Sequence, residues 1–432
     1  MGYYIRKIYK PGTIAIQLLI GIVIVIAIFL IKSKTMADFR SDPVLYTYGI
    51  FVSVFLFVRI SGAIFFRRSY NYILNQNSAA YEPPVTFVIP CKNEEASITI
   101  TIDKCFAADY PMEKIEVIVI NDGSTDNTMR VLEEIKREKY PELVIVSWEK
   151  NRGKRHAMAE GFRSAKGEII IQLDSDSYIE PSTFRKIIQP FANDEIGAVC
   201  AHADPVNAND NLITKVQAAY YLVSFRIMKA AESTFYTVFC CSGCSSAYRK
   251  SAALPVLDSW LNETFMKAPV TWGDDRALTS WLLKTDYKTL YTDEVQAYTI
   301  VPDNFRTLLT QQLRWKKSWI INSIFTGKFI YKKQPFVSLF YFYPLIALSY
   351  VAPIFAVRSL VVMPIYNGNM PYFYLFGILF ITLFVIYMTK ILANNSRHLY
   401  YFLIWQFFNT VLFSFVIFYA LYKINDRRWG TR

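Results

Sequence analysis

EIIIQLD, at residues 168–174, is an apolar run that ends in an acidic residue, and Ser175 and Asp176 follow it directly. Between its first and last residues only Gln172 is polar. A strand that is apolar on both faces is typical of a parallel sheet covered by helices on both sides. Ligands of such sheets bind outside the carboxyl ends of the strands. Asp174 and Asp176 are therefore expected at a ligand site.

Three similar runs precede this one, and helical patterns separate them. The runs are TFVIP (86–90), EVIVIND (116–122) and LVIVSW (143–148); the helical patterns begin near Glu94, run from 127 to 139, and run from about 154 to 164. This alternation predicts an α/β domain with a mainly parallel sheet. Polar residues follow the strands at 90–94, 121–123 and 174–176, so we expect them at one edge of the sheet.

The two ends of the chain differ from this central domain. Hydrophobic residues make up 53% of the sequence, and they concentrate at the ends. Five apolar runs, at 13–31, 44–66, 336–363, 372–389 and 399–422, are each about long enough to cross a bilayer. The pattern predicts a multi-pass membrane protein with a water-soluble domain between its membrane segments.

Basic residues flank the first two runs and predict the orientation. Arg6, Lys7 and Lys10 precede the first run, and Arg67 and Arg68 follow the second. By the positive-inside rule, both flanks and the central domain are expected in the cytoplasm, with the plasma membrane as the location. The net charge of +12 fits such flanks, and no nucleic-acid recognition module is seen, so no nucleic-acid partner is expected.

The C-terminal end is also basic, through Lys423, Arg427, Arg428 and Arg432. A cytoplasmic C-terminus requires an even number of crossings after the central domain. The run at 336–363 is broken by two prolines, and we expect it to lie partly in the interface. All six cysteines fall in the cytoplasmic part, and the lone CxxC at 241–244 has no second ligand pair for structural zinc.

The acidic residues at the strand ends suit a metal and a nucleotide. Asp174 and Asp176 supply the hard oxygen ligands that Mg²⁺ or Mn²⁺ prefers, although a solvated acidic turn is the alternative. Asp122 could accept hydrogen bonds from uracil or ribose, or form a turn before Gly123. Lys154 and Arg155 open a helix and place two cations at its N-terminus, which favours phosphate binding, with an exposed basic loop as the alternative.

Two later motifs add a base and an aromatic platform. In WGDDR (272–276), Asp275 is the candidate general base, although it could instead cap the helix predicted at 277–284. In QQLRW (311–315), Arg314 can bind pyrophosphate through two hydrogen bonds, and Trp315 offers a flat face for a sugar ring. An interfacial helix anchored by Trp and Lys is the other interpretation.

Asp122, DSD (174–176), GDD (273–275) and QQLRW (311–315) together resemble the motifs of the processive inverting membrane glycosyltransferases of family 2. That family includes cellulose, chitin and hyaluronan synthases, and the resemblance covers about 85–318. GDDRALT (273–279), RGKRHAM (152–158) and WGTR (429–432) look most like hyaluronan synthases.

The resemblance implies a GT-A-like nucleotide-sugar domain at 82–305, inserted between transmembrane helices. Residues 1–68 would form two membrane helices, 306–335 interfacial amphipathic helices, and 336–432 the C-terminal membrane helices and a gating segment. It implies Asp275 as catalytic base and Asp174 and Asp176 as ligands of Mg²⁺ or Mn²⁺. The implied UDP and substrate contacts are Asp122, Lys154, Asp174, Asp176, Gln311, Arg314, Trp315, Trp429, Thr431 and Arg432, and the implied acceptor loop contains Cys241, Ser242, Gly243, Tyr248 and Arg249.

The sequence departs from the hyaluronan synthase pattern at one point. Those enzymes usually have Pro and an aliphatic residue after Ser-Gly, where this chain has Cys244 and Ser245. The double cysteine at 240–241 is similar to chitin-oligosaccharide synthases, which leaves the product open. UDP-GlcNAc and UDP-GlcA would give hyaluronan, whereas UDP-GlcNAc alone would give a chitin-type product.

Two further alternatives are a single transfer to a polyprenyl phosphate and a non-enzymatic membrane scaffold. For a polymer-forming enzyme, we expect the nascent polysaccharide to pass into a channel among the membrane segments. Arg59 could meet the polymer there, because intramembrane charges rarely face lipid.

Overall fold

The computed structural model describes residues 42–75, 81–368, 371–393 and 397–426. The membrane segment predicted at 13–31 and the basic residues before it lie outside the described residues. The same holds for the WGTR segment, with Trp429, Thr431 and Arg432.

The central domain is built on an eight-stranded sheet in the order β3-β2-β1-β4-β7-β6-β10-β5. Strands β1 to β4 are mutually parallel, as the alternating pattern predicted. A separate hairpin pairs β8 with β9. The strands are β1 Val85–Cys91, β2 Ile115–Asp122, β3 Val144–Trp148, β4 Ile169–Gln172, β5 Tyr178–Ile179, β6 Ile196–Pro205, β7 Ser246–Arg249, β8 Thr264–Phe265, β9 Ala268–Pro269 and β10 Lys288–Thr299.

Strand β7 reverses the direction of the sheet. It runs antiparallel to both β4 and β6, and Gln172 at the end of β4 pairs with Ser246 at the start of β7. The loop that enters β7 therefore lies beside the carboxyl end of β4. This reversal brings residues 240–245 to the edge where the polar strand ends collect.

Helices cover the sheet and continue toward the membrane segments. The helix predicted from Glu94 begins at Ile98, and the one predicted from Ala277 begins at Asp274, whereas the prediction at 154–164 is confirmed. The longer helices are α1 Pro43–Leu74, α2 Ile98–Phe106, α3 Thr128–Glu138, α4 Lys154–Ser164, α5 Leu212–Val223, α6 Lys250–Leu261, α7 Asp274–Lys284, α8 Phe305–Gly327, α9 Pro335–Tyr366, α10 Tyr372–Leu392 and α11 Leu399–Tyr422. Shorter helical segments are Met112–Lys114, Pro181–Thr183, Arg185–Ile188, Gln189–Ala192, Ser224–Lys229, Ala230–Ser233 and Ile330–Lys333.

Four helices within the described ranges, namely α1, α9, α10 and α11, are long and apolar enough to cross a membrane. Helix α9 runs beside α1: Arg358 near its far end pairs with Asp42 before α1, at 2.8 Å. At its other end Phe336 packs on Phe235 of the central domain. Only one end of each helix is thus paired at the Asp42 and Arg358 side, whereas the other ends, with Ser69 of α1 and Phe336 of α9, contact the central domain.

Helix α11 differs from α1 and α9, because residues near both of its ends contact the central domain. Near its start, Trp405 stacks on Tyr220 at 4.1 Å, and just beyond its end Ile424 packs against Trp272. Its outer face is an exposed apolar stripe at helical spacing. The stripe contains Tyr400, Phe407, Val411, Phe418 and Tyr422. Which of these helices lies along the interface, including the expectation for 336–363, stays a prediction.

The expectation that Arg59 meets the polymer is not what the packing shows. Arg59 is fully buried, and it donates to Glu232 at 2.8 Å and to the carbonyl of Tyr341 at 2.9 Å. It therefore joins α1 to the central domain and to α9. A buried guanidinium needs such partners, because an unpaired charge is costly in an apolar surrounding.

Replacing one partner of the Arg59–Glu232 ion pair tests its structural role. Arg59→Met leaves Glu232 buried without its partner, so we expect the free energy of unfolding to fall by about 3–5 kcal/mol. Arg59→Met combined with Glu232→Gln removes both charges and keeps an oxygen acceptor for the Phe239 amide, so much of the loss should be recovered. Thermal unfolding in detergent measures both. Equal melting temperatures for the single and double variants would contradict this interpretation.

Candidate active site

Segments that are distant in sequence meet around one cavity of about 420 Å³. Its wall includes the residues after β4, the loop before β7, the start of α7 and one face of α8. Leu345 and Ser349 of α9 also line it. The cavity therefore extends from the edge of the sheet to a membrane-type helix.

One end of the cavity, which we call the donor end, is lined by Lys154, Asp174 and Gly243. Asp176 lies close to Asp174 and Lys154 but does not line the cavity. The Lys154 amine contacts Asp174 Oδ1 at 2.5 Å. Burial, and then the charge of Asp174, raise the pKa of Asp176 to about 6. A Cβ atom at Gly243 would lie 3.1 Å from Asp174 Oδ1, so glycine leaves room directly over the carboxylate.

This donor end fits a divalent cation on the chemistry of its ligands. Burial, and then the charge of Asp174, raise the pKa of Asp176, and a cation bound to both carboxylates would offset both effects. Among the described residues no group of three metal-ligating side chains occurs, so these residues offer a pair of carboxylates. Mg²⁺ sites often have one or two carboxylates and complete their coordination with phosphate and water.

Asp122 lies at the same edge of the sheet but has local partners. Its carboxylate accepts the backbone N–H groups of Arg152 at 2.6 Å and Gly153 at 2.9 Å. Burial raises its pKa, and these two hydrogen bonds oppose the increase. Asp122 thus holds the loop that leads into Lys154, and its direct contact with a nucleotide stays a prediction.

The two adjacent aspartates at the start of α7 differ in their surroundings. Asp274 is buried and accepts a hydrogen bond from Arg155 Nε at 2.9 Å. Arg155 also donates to Glu263 at 3.1 Å and to the carbonyls of Trp260 and Trp272. Asp274 is therefore held by the protein, which leaves Asp275 as the aspartate that can act on a substrate.

Asp275 lies in the cavity wall at the first turn of α7. Its Oδ2 accepts the Gly243 N–H at 3.2 Å, and the Cys240 thiol lies 3.6 Å away. Burial, and then the charge of Asp275, raise the pKa of Cys240 to about 12, so this thiol stays protonated and donates. Gly273 occupies the N-cap position of α7, but Asp275 Oδ1 accepts the backbone N–H of Arg276 at 2.7 Å. Asp275 therefore also satisfies a first-turn amide of the helix, and its role as a base stays a prediction.

Helix α8 contributes the QQLRW motif to the opposite wall. Gln312, Arg314 and Trp315 line the cavity, whereas Gln311 does not. The amide nitrogen of Gln312 is buried without a hydrogen-bond partner in the described structure. A buried, unsatisfied amide beside a cavity is suited to a ligand. Gln312 is a site residue that the motif contained but the sequence analysis did not select.

Only part of the predicted acceptor loop lines the cavity. Ser242 and Gly243 line the cavity with Cys240 and Cys244, whereas Cys241 is buried behind them. Tyr248 and Arg249 are on β7 and do not line it. Arg249 instead donates to backbone carbonyls, including that of Ile196 at 3.1 Å. These two residues support the fold rather than the acceptor.

Comparison with known proteins agrees with this geometry. Residues 86–254 match the family model described as Glycosyl transferase family 2. The chain contains a family 2 glycosyltransferase domain. It has the GT-A fold, and its resemblance to that family is thereby confirmed.

Two curated relatives and one solved structure extend the comparison. The glycosyltransferase is 28% identical over 438 residues to hyaluronan synthase of Streptococcus pyogenes, covering 98% of both chains. It is 26% identical to an N-acetylglucosaminyltransferase of Azorhizobium caulinodans, over 83% of this chain and 90% of the relative. A Pyrobaculum calidifontis mannosyltransferase, solved with GDP-Man and Mn²⁺, has a TM-score of 0.58 at 18% identity, covering 86% of this chain and 99% of the other.

The sequence predicts Arg155 as a second phosphate-binding cation beside Lys154, and the structure contradicts this. Arg155 is buried among partners 105 to 119 residues away, which nothing in the local sequence indicates. Lys154 and Arg155 are consecutive residues of α4, so their side chains leave the helix in different directions. Lys154 reaches the donor end, whereas Arg155 holds the acidic start of α7.

The left-handed backbone at Gly273 gives a test of how this glycosyltransferase positions its acidic motif. A Cβ atom there would lie 1.8 Å from Ser318 Oγ of α8, whereas Gly368 has a similar φ (+67° against +70°) and open space. We expect Gly368→Ala to lower the free energy of unfolding by about 1 kcal/mol because of backbone strain alone. Gly273→Ala should lower it by a further ~1–3 kcal/mol because of the clash, and it should also reduce activity.

Thermal unfolding and UDP release measure these two effects. Adding Ser318→Gly to Gly273→Ala should restore part of both, because it removes the clash but not the backbone strain. If the two alanine variants behaved alike, the close packing of α7 on α8 would not matter.

Proposed function

We propose that this glycosyltransferase is a processive, inverting β-glycosyltransferase that polymerises UDP-GlcNAc and UDP-GlcA into hyaluronan and passes the chain through its own membrane channel. One observation carries the proposal: a single cavity joins the donor end, Asp275 and the membrane-type helix α9. A continuous path from the reacting groups to such a helix suits an enzyme that extrudes its product.

The relatives support this substrate class. The Streptococcus pyogenes protein is named for hyaluronan synthesis and matches along nearly its whole length. Other relatives are N-acetylglucosaminyltransferases. Transfer of N-acetylglucosamine would be common to a hyaluronan synthase and a chitin-type synthase, and only the former also needs UDP-GlcA.

The donor end suits a UDP-sugar. Mg²⁺ or Mn²⁺ held by Asp174 and Asp176 would neutralise the charge that develops on the departing UDP. Lys154 stands beside Asp174, and the aspartates raise the pKa of its amine although burial opposes them. Lys154 and Arg314 would thus hold the diphosphate in a fixed position, with Asp122 supporting the loop beside the nucleotide.

Asp275 would act as the general base. It would take the proton from an acceptor hydroxyl while the new bond forms between that oxygen and the anomeric carbon. The bond from that carbon to the diphosphate breaks, its electron pair leaves with UDP, and the configuration inverts. The Gly243 amide and the Cys240 thiol hold the Asp275 carboxylate in place, while Trp315 would support the acceptor sugar.

The packing of the long helices supports an even number of crossings after the central domain. Helices α9 and α10 would cross as a pair, α11 would lie in the interface, and the active site would face the cytoplasm at the plasma membrane. Lys317, whose amine lies 4.6 Å from the Trp272 ring, donates to the Asp426 carbonyl at 2.8 Å. The chain therefore approaches the active site just before Trp429, Thr431 and Arg432, which suits a gating role for them.

A chitin-type synthase that uses UDP-GlcNAc alone is the second candidate. Cys240, Cys241 and Cys244 favour it, because this cysteine pattern is the point where the sequence departs from hyaluronan synthases. Two of these cysteines line the cavity beside Asp275, so the departure lies where an acceptor would bind.

Donor dependence separates the two candidates. Membranes containing the protein, supplied with Mg²⁺ or Mn²⁺, should form a hyaluronidase-sensitive polymer only when both nucleotide sugars are present, and a chelator should abolish it. UDP release and polymer length on gels provide the measurement. A product from UDP-GlcNAc alone that chitinase digests would favour the second candidate, and the absence of any polymer would refute both.

A further inference from the structure

Five cations are among the described residues that line the cavity, and one of them, Lys229, donates to Ser242. The other four form two groups. Lys154 of the donor end and Arg314 of α8 form the first group, and the charges of Asp174, Asp274 and Asp275 act on both. These two side chains therefore have acidic neighbours already. Arg276 and Lys316 form the second group, on the α7 and α8 walls of the same cavity.

Within the described part of the chain, neither Arg276 nor Lys316 forms an ion pair with a carboxylate. Lys316 is half-buried, and burial, followed by the charge of Arg276, lowers the pKa of its amine to about 8. Two cations that weaken each other in a partly dry wall are unfavourable unless an anion binds between them. The second group is thus suited to an anionic ligand.

The surroundings of these cations indicate a carbohydrate. Arg276 lies 5.2 Å from the centre of the Trp319 ring, and Trp315 and the unsatisfied amide of Gln312 line the same wall. Aromatic faces with a few polar groups are typical of small-molecule sites. Ser349 of α9 closes this region toward the membrane helices. We call the wall formed by Arg276, Gln312, Trp315, Lys316, Trp319 and Ser349 the acceptor arm.

We propose that Arg276 and Lys316 bind the carboxylate of a uronate unit in the growing chain, beside the unit whose hydroxyl Asp275 deprotonates. This inference rests on the proposed function. Arg276 directly follows Asp275, so a uronate held there lies within one or two sugar units of the reacting hydroxyl. Charge-assisted hydrogen bonds from two cations would make the acceptor arm prefer an alternating uronate chain to a chain of N-acetylglucosamine alone.

The test compares Lys316→Met, Lys316→Arg and Lys328→Met in the full-length protein. Lys328 is an exposed lysine at the end of the same helix and serves as the matched control. We expect Lys316→Met to weaken binding of a hyaluronan oligosaccharide about tenfold, because a charge-assisted hydrogen bond is lost. Binding of a chitin oligosaccharide of equal length should change less than twofold. Lys316→Arg should keep most of the uronate preference, and Lys328→Met all of it.

The same variants are then assayed for transfer. Lys316→Met should slow polymerisation from both donors or shorten the polymer, while UDP release from UDP-GlcNAc alone stays near wild type. If Lys316→Met lost affinity equally for both oligosaccharides, its role would be merely structural and the proposal would be overturned. The proposal would also be overturned if Lys316→Met behaved like Lys328→Met. An effect seen only in bilayers with anionic lipid would assign the cations to a lipid phosphate, which also overturns it.

Different results would refute the proposed function and the carboxylate subsite. If the wild-type protein makes no polymer from the two donors, the proposed function fails. If it makes hyaluronan and Lys316→Met retains full preference for the uronate oligosaccharide, only the carboxylate subsite fails.

Discussion

The active site depends on the buried guanidinium of Arg155. This side chain joins α4, which carries Lys154, to the acidic start of α7 through Asp274 and Glu263. Four hydrogen bonds satisfy most of its five donor hydrogens, so its charge is stable in the interior. Because Asp274 is fixed in this way, the next residue, Asp275, is directed at the cavity. One ion-pair network therefore fixes the position of Lys154 relative to Asp275, the candidate base.

The reversal of the sheet at β7 supplies the second constraint. A fully parallel sheet would carry the loop before β7 to the opposite edge, away from the carboxyl end of β4. With β7 antiparallel, Gly243 lies over Asp174 and its amide also reaches Asp275. The loop thus contacts both the donor end and the candidate base. The same cavity is also lined by Ser349 of α9, so it reaches from the sheet edge to a membrane-type helix.

The sequence predicted the parts of this structure that local patterns encode. Strands β1 to β4 and helix α4 follow from apolar periodicity, and the convergence of polar strand ends follows from their parallel direction. Long-range pairing has no local signal: the partners of Arg155 and Arg59 lie more than 100 residues away. Length and hydropathy also could not separate α11, which packs on the central domain, from α9. The structure was needed to distinguish Asp274 from Asp275, which are adjacent and chemically identical.

The central claim is that Asp275 takes the proton from the acceptor while the rest of the site binds the nucleotide. Parallel measurement of UDP affinity and sugar transfer on Asp275→Asn tests it most directly, since asparagine keeps the shape but not the basicity. The account predicts a loss of transfer of about a hundredfold or more, with UDP affinity unchanged within about twofold. Polymer formation at a rate near wild type would contradict it.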